Sequence, residues 1–316
     1  MVGAVLLEPE RFLDVREWLE PDDFYGTAEQ QAYAAICSIA GRGEELSPEV
    51  VDREVRAAAR PGGAPPLADG AYLIGCMQVT PVAARAAVYG RMVLEMSIRR
   101  RVADQGTQLR QRAERAVSTH DLTLVFARVD SARRNVERLH DREALAARSH
   151  SPTPLRADAL PALRRPARRE DVPAERAAVR ALVDRPSALG TVTRWLTADD
   201  FSDQECSGLY GELSTLHATG KPIDTVTVAW RALCVGLKGP ICDSLSDPRG
   251  VADVSPDPVR VCRTVLQQSV RSRVLWTAHA LEQSTNVDPS DVTAEAYARL
   301  NALWPHHRRL TAARMA

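Results

Sequence analysis

The sequence predicts an all-α protein made of two tandem helical domains, each a small helical globule followed by a helical hairpin. Three observations carry that prediction. The chain repeats itself: Trp18-Leu19-Glu20-Pro21-Asp22-Asp23-Phe24 returns as Trp195-Leu196-Thr197-Ala198-Asp199-Asp200-Phe201, an offset of 177. The same offset maps Pro9 on Pro186, Tyr33 on Tyr210, Gly43 on Gly220, Leu46 on Ile223 and Val51 on Val228. A period this long marks two copies of a domain rather than a solenoid, and 316 residues are enough for two. Composition favours helix over sheet, with Ala, Leu, Val and Arg abundant and aromatics at 5%. Finally, apolar residues recur at steps of three and four through most of each copy.

Taken in order, Val2–Leu7 reads as a helix closed by Pro9, and Phe12, Val15, Trp18 and Leu19 as a second short one. Asp22 and Asp23 offer an N-cap region before a helix at Glu29–Ile39, which Gly43 ends by accepting a left-handed backbone. Pro48 opens the next helix, where its missing N–H costs nothing. Copy two follows the same plan: Arg176–Val183, Leu189–Leu196, Cys206–Leu216, a stop at Gly220 and a restart near Asp224 or Thr225. Each copy then holds a hairpin. In copy one it runs through Val82–Ala116 and Leu122–Leu145; in copy two, from Pro258 through Leu281 and then Val292–Leu303. Ser97-Ile98-Arg99-Arg100-Arg101-Val102 aligns with Ser269-Val270-Arg271-Ser272-Arg273-Val274 at an offset of 172, which places a shortening in the Arg60–Gly70 region.

Residues 146–173 break the pattern. Five prolines, from Pro152 to Pro173, exclude a continuous helix, and Arg164, Arg165, Arg168 and Arg169 form a short basic run. The expected domains are therefore 1–145 and 174–305, joined by a linker at 146–173 and followed by a basic tail at 306–316. The linker arginines read as solvated charge, with contact to nucleic acid as the sharper alternative.

Charge and chemistry exclude more than they assign. Forty-one basic residues balance 41 acidic ones, so no global field draws the chain to nucleic acid or membrane. With no apolar run approaching the ~20 residues of a membrane span, and no signal-peptide layout at the start, a cytoplasmic protein is expected. Six cysteines without C-x-x-C spacing read as small buried hydrophobes. Ala218-Thr219-Gly220-Lys221-Pro222 only faintly resembles a phosphate loop: no glycine stands five before Gly220, and Pro222 replaces the hydroxyl. Asp22-Asp23 and Asp199-Asp200 read as helix caps, and His279, His306 and His307 lack the companions that nucleophilic or metal chemistry needs. Arg99, Arg100, Arg101, Arg110 and Arg112 point around a helix and read as its solvated flanks. No catalytic, cofactor or metal site is expected.

With both copies laid out, the chain resembles the N-terminal domain of the DnaB family of replicative helicases. Copy one carries Leu6-Leu7-Glu8-Pro9, Leu19-Glu20-Pro21-Asp22-Asp23-Phe24-Tyr25, Ala71-Tyr72-Leu73, and Thr80-Pro81 through Tyr89-Gly90-Arg91-Met92-Val93. Copy two carries Gly220-Lys221-Pro222-Ile223-Asp224 with Val226-Thr227-Val228, then departs, with Val261 in place of Tyr89. The resemblance implies an all-helical globule plus a hairpin, with hairpins that pair. It also implies a non-enzymatic interaction module acting in replication through a helicase or primase, since no phosphate loop of the family's ATPase domain is present. Alternatives are a DNA-binding or regulatory factor using linker and hairpin arginines, or a helicase remnant without a replication role. The partner-binding residues expected from the hairpin stripes are Tyr89, Val93, Met96, Val102, Leu266, Val270, Val274 and Leu281, with self-association through the hairpins. Arg164, Arg165, Arg168 and Arg169 are the nucleic-acid candidates.

Overall fold

Proline, glycine and side-chain caps punctuate the chain where the repeat places them. A computed structural model describes residues 1–59, 65–116, 122–147, 171–242, 256–284 and 289–316, and every regular element among them is helical. Copy one has α1 (Val2–Leu7), α2 (Thr27–Gly41), α3 (Pro48–Ala58), α4 (Gly70–Gln78), α5 (Ala86–Arg115) and α6 (Thr123–Ala147). Copy two has α7 (Val172–Asp184), α8 (Leu189–Val192), α9 (Gln204–Ala218), α10 (Thr225–Cys234), α11 (Pro258–Glu282), α12 (Pro289–Asn301) and α13 (Trp304–Met315). No single helix among the described residues is long and apolar enough to cross a membrane.

The signals act as their chemistry requires. Ser47 accepts the Val50 amide at 3.3 Å in front of Pro48, and Asp224 accepts the Thr227 amide at 2.8 Å. Gly43 and Gly220 stand at φ +70° and +64°, and the next amides, of Glu44 and Lys221, close on the carbonyls of Ile39 and Leu216. The Gly220 segment is thus a helix stop, with the geometry of no phosphate loop.

Several local readings change. Residues 12–19 form no α-helix: a 3₁₀ helix at Pro9–Asp14 gives way to turns. Asp22 and Asp23 do not cap α2, whose N-cap is Gly26; they lie in a separate 3₁₀ turn at Pro21–Asp23. Helix α5 begins at Ala86 because Val82 is extended after Pro81. Of residues 306–316, expected as a tail, all but Ala316 belong to α13, with Leu310 and Ala313 buried. The second hairpin helix of copy two therefore extends to Met315, broken between α12 and α13 next to Pro305. Among the cysteines, all free, Cys206 and Cys262 are buried while Cys234 is exposed. Apart from its ends the linker lies outside the described residues.

The repeated residues build repeated cores. Trp18 and Trp195, Phe24 and Phe201, Tyr33 and Tyr210, and Val51 and Val228 are all buried. The Phe24–Tyr33 and Phe201–Tyr210 rings are each 5.0 Å apart. Burying each such side chain is worth about 1.5–3 kcal/mol. In copy one α1 packs on α4 and α2 on α3; in copy two α9 packs on α7 and α10.

By contacts the chain divides into two units, and neither coincides with one sequence copy. Unit 1 holds Met1–Gln105 with the described parts of Ala132–Arg156 and Leu281–Tyr297; unit 2 holds the described parts of Gly106–Ser131, Ala157–Ala280 and Ala298–Ala316. In unit 1, the second half of α6 meets α12: His140 Nδ1 lies 3.1 Å from Thr293 Oγ1, which donates to Glu143 at 3.2 Å. In unit 2, the start of α6 meets α13: the Phe126 ring lies 4.4 Å from that of His307 and 6.2 Å from that of Trp304, and Arg314 donates to Thr123 at 2.9 Å. Each unit thus brings part of α6, from the first copy's hairpin, against a helix from the end of the second copy.

Candidate interaction surface

Each globule is tied to a hairpin by a buried carboxylate, and the tie occurs twice. In unit 1, Asp23 accepts the Glu20 amide at 2.8 Å, the Ser97 hydroxyl at 2.7 Å and the Arg142 guanidinium; Arg101 adds an ion pair at 3.2 Å. Arg142 also donates twice to the Trp18 carbonyl, at 2.8 and 3.0 Å. In unit 2, Asp200 accepts the Thr197 amide at 2.9 Å, the Ser269 hydroxyl at 3.0 Å and the Arg309 guanidinium. Arg309 donates to the Trp195 carbonyl at 2.8 Å. Both carboxylates are buried, so their charge is held by paired guanidinium and hydrogen bonds rather than by water. Arg100 reaches the Asp22 and Asp23 carbonyls and Arg273 the Asp199 carbonyl; these arginines are not idle flanks of a helix. The paired acids are structural anchors, which fixes the hairpin against its globule.

That anchoring sets which face of α5 turns inward. Leu94, Ile98, Val102 and Leu109 are buried, as are their counterparts 172 residues on, Leu266, Val270, Val274 and Leu281. Five of the eight residues expected on the hairpin stripes, Val102, Leu266, Val270, Val274 and Leu281, are therefore interior to their units. Tyr89 and Val93 are half-buried and line an open cleft of about 290 Å³ with Phe24, Tyr72, Cys76 and Val79. Met96 is 61% exposed, and with Val88 at 54% and Met92 at 59% it forms a stripe at four-residue steps on the outer face. Arg164, Arg165, Arg168 and Arg169 lie outside the described residues.

The repeat does not keep this stripe apolar. At the positions of Val88, Met92 and Met96, copy two has Arg260, Thr264 and Gln268. The inward residues stay apolar in both copies, while these three positions are apolar in copy one alone; in copy two Arg260 is exposed and Thr264 and Gln268 are half-buried. Val88 and Met92 escaped the reading by periodicity, which cannot tell an inner stripe from an outer one. The signal that finds them is the difference between aligned copies. Arg142 and Arg309 stand at an offset of 167, which neither of the offsets 177 and 172 links.

Among the described residues no group of three or more His, Cys, Asp or Glu is placed to hold a metal ion. The thiols of Cys37 and Cys262 are pushed up by burial, to about 11 and about 12, away from nucleophilic chemistry. The arrangement offers an apolar contact surface.

Comparison with known proteins gives the family. The family model described as the DnaB-like helicase N terminal domain matches residues 1–95 and again residues 167–235. The chain is similar to the replicative DNA helicase DnaB of Mycobacterium leprae (strain TN), 35% identical over 114 residues, or 35% of this chain and 18% of that protein. It is similar to the replicative DNA helicase DnaB of Geobacillus stearothermophilus, 32% identical over 111 residues, 35% of this chain and 24% of that protein. The replicative DNA helicase DnaC of Bacillus subtilis (strain 168) is 31% identical over 111 residues, with the same coverage. The chain thus spans only a small part of the length of the relatives it matches.

Proposed function

The chain belongs to the DnaB-like helicase N-terminal domain family, and from that premise we propose that it is a non-enzymatic interaction module of DNA replication. In this reading the two copies satisfy each other's hairpins within one chain, and copy one docks on a replicative helicase through Val88, Met92 and Met96. The observation that carries the reading is the outer stripe of α5, apolar in copy one and polar at the same positions of copy two. Three contiguous exposed apolar side chains are costly to keep in water unless something covers them. Methionine suits such a contact because its flexible thioether adapts to the partner's relief. The matched family segment is the helicase's N-terminal domain, which supports a helicase as partner and gives no ground for carrying over ATP hydrolysis.

The test is a binding titration of the chain against the replicative helicase of the same cell. Wild type is expected to bind. Met92→Asp with Met96→Asp is expected to weaken binding at least tenfold, as burying about 1.5–3 kcal/mol per side chain implies. Arg260→Asp, at the exposed matching position of copy two, is expected to bind as wild type does. Absence of helicase binding, binding to primase instead, or equal binding by the stripe variant would overturn the proposal.

A further inference from the structure

Helix α10 of unit 2 turns another apolar face to water. Val226, Trp230 and Leu233 follow one another at steps of four and three, which sets them on one side of the helix. All three are exposed, Trp230 at 65%, whereas each of the other tryptophans is buried or half-buried. Val235, just past the helix end, is exposed as well. The other side of α10 is fastened to its unit. Val228 and Ala232 are buried, Asp224 accepts the Thr227 amide, and Arg231 pairs with Glu212 of α9 at 2.7 Å.

The offset of 177 sets α10 against α3. The buried Val228 and Ala232 match the buried Val51 and Val55. The exposed Val226, Trp230 and Leu233 match Glu49, Arg53 and Arg56, which are exposed too. Copy one thus places charge where copy two places a tryptophan between two aliphatic side chains. The two lysines of the chain, Lys221 and Lys238, stand before and after this stripe. Both are exposed, and among the described residues neither ammonium has an ion pair or hydrogen bond. Asp224 is the one acid between them, and Thr227 engages it through its amide and its hydroxyl.

We propose that this face of α10 docks an acidic amphipathic helix of a partner protein. The partner's apolar side lies on Val226, Trp230 and Leu233, and its carboxylates meet Lys221 and Lys238. Anchors at i, i+4 and i+7 are the spacing by which one helix engages another, and the lysines at the two ends select negative charge on the occupant. A second copy of this chain fits poorly, because pairing two such faces in either direction sets lysine against lysine. The face also offers on the order of 400 Å², about half of the ~800 Å² per partner of a stable dimer. An anionic membrane surface calls for about four to eight clustered basic residues, and here two lysines flank the stripe. The inference is independent of helicase docking, which uses α5 in unit 1.

The probe is a labelled synthetic helical peptide of about 20 residues, with leucines at steps of three and four and glutamates beside them. Binding is read by anisotropy of the label, and the emission of Trp230 is expected to move to the blue as its indole leaves water. The same peptide with lysines in place of the glutamates is expected to bind at least tenfold more weakly. The variant Val226→Glu, Trp230→Arg, Leu233→Arg carries the residues of copy one and is expected to lose at least tenfold in affinity, with an unchanged thermal melt. Lys221→Glu with Lys238→Glu, at exposed positions, is expected to abolish the preference for glutamate, and keeps the test open should the first variant fail to fold. No binding, equal binding of the two peptides, or a charge variant that still prefers glutamate would overturn the proposal. So would a dimer in solution, or attachment to phosphatidylserine vesicles, that wild type shows and the copy-one variant loses.

Discussion

Replacing Arg309 by methionine removes the cation that holds a buried carboxylate while keeping most of the apolar stem. Asp200 would retain the Thr197 amide and the Ser269 hydroxyl, and would lose the Arg309 guanidinium. The Trp195 carbonyl would lose its donor as well. Breaking a buried ion pair from one side costs about 3–5 kcal/mol. The Arg309 side chain is 21% exposed, so water partly takes its place and the lower end, about 3 kcal/mol, is expected. At roughly 2–4 °C per kcal/mol for a unit of this size, the melt should fall by on the order of 10 °C. The assay is urea unfolding followed by far-UV circular dichroism. Adding Asp200→Asn should cost less than the sum of the single changes, because the carboxylate that Arg309→Met deprives of this guanidinium is then gone. A cost below about 1 kcal/mol at unchanged m, the level of an exposed pair, would refute the view that the clasp fastens hairpin to globule.

Acid should loosen unit 2 through His306. Burial first, then Arg273 and Arg309, pushes its pKa down from 6.5 to about 4. The unfolded chain takes up the proton below 6.5 and the folded one does not, so stability falls as pH drops from 6.5 towards 4. The loss is at most about 3 kcal/mol, and comparing urea midpoints at about pH 7 and about pH 5 in wild type and His306→Gln checks it. Leu94→Ala and Leu266→Ala, equivalent buried positions of the two copies, should each lower stability by about 2–5 kcal/mol, read from denaturant midpoints. Gly220→Ala, at φ +64°, should cost roughly 1–2 kcal/mol and Asp224→Ala, which loses the cap on Thr227, about 1 kcal/mol, both seen as lower melting temperatures.

Much of the fold was legible because glycine, proline and capping residues act locally. Gly43, Gly220, Pro48 and Asp224 each do in the structure what their chemistry requires of the neighbouring turn. The repeat also marked the core, since Trp18, Phe24, Tyr33 and Val51 and their counterparts are buried. Asp23 and Asp200 misled because their partners are distant. Ser97, Arg142, Ser269 and Arg309 are 69 to 119 residues away, and no local rule links them. The apolar stripes misled because period alone does not give the inward side. Leu94, Ile98 and Val102 face the core, whereas Met92 and Met96, on the same helix, face water. Subtracting one copy from the other recovers that distinction, since the core is common to both and the surfaces are not.

In the function proposed above, the hairpins of the two copies complete each other inside one chain. Its most direct test is to place a protease site within 146–173, cut the purified protein there, and measure the mass of the product in dilute native buffer. Because each unit draws helices from both copies, the nicked halves are expected to stay together at the mass of the intact chain, 34.6 kDa, and to part only when denatured. Two halves that separate in native buffer, each remaining helical on its own, would contradict it.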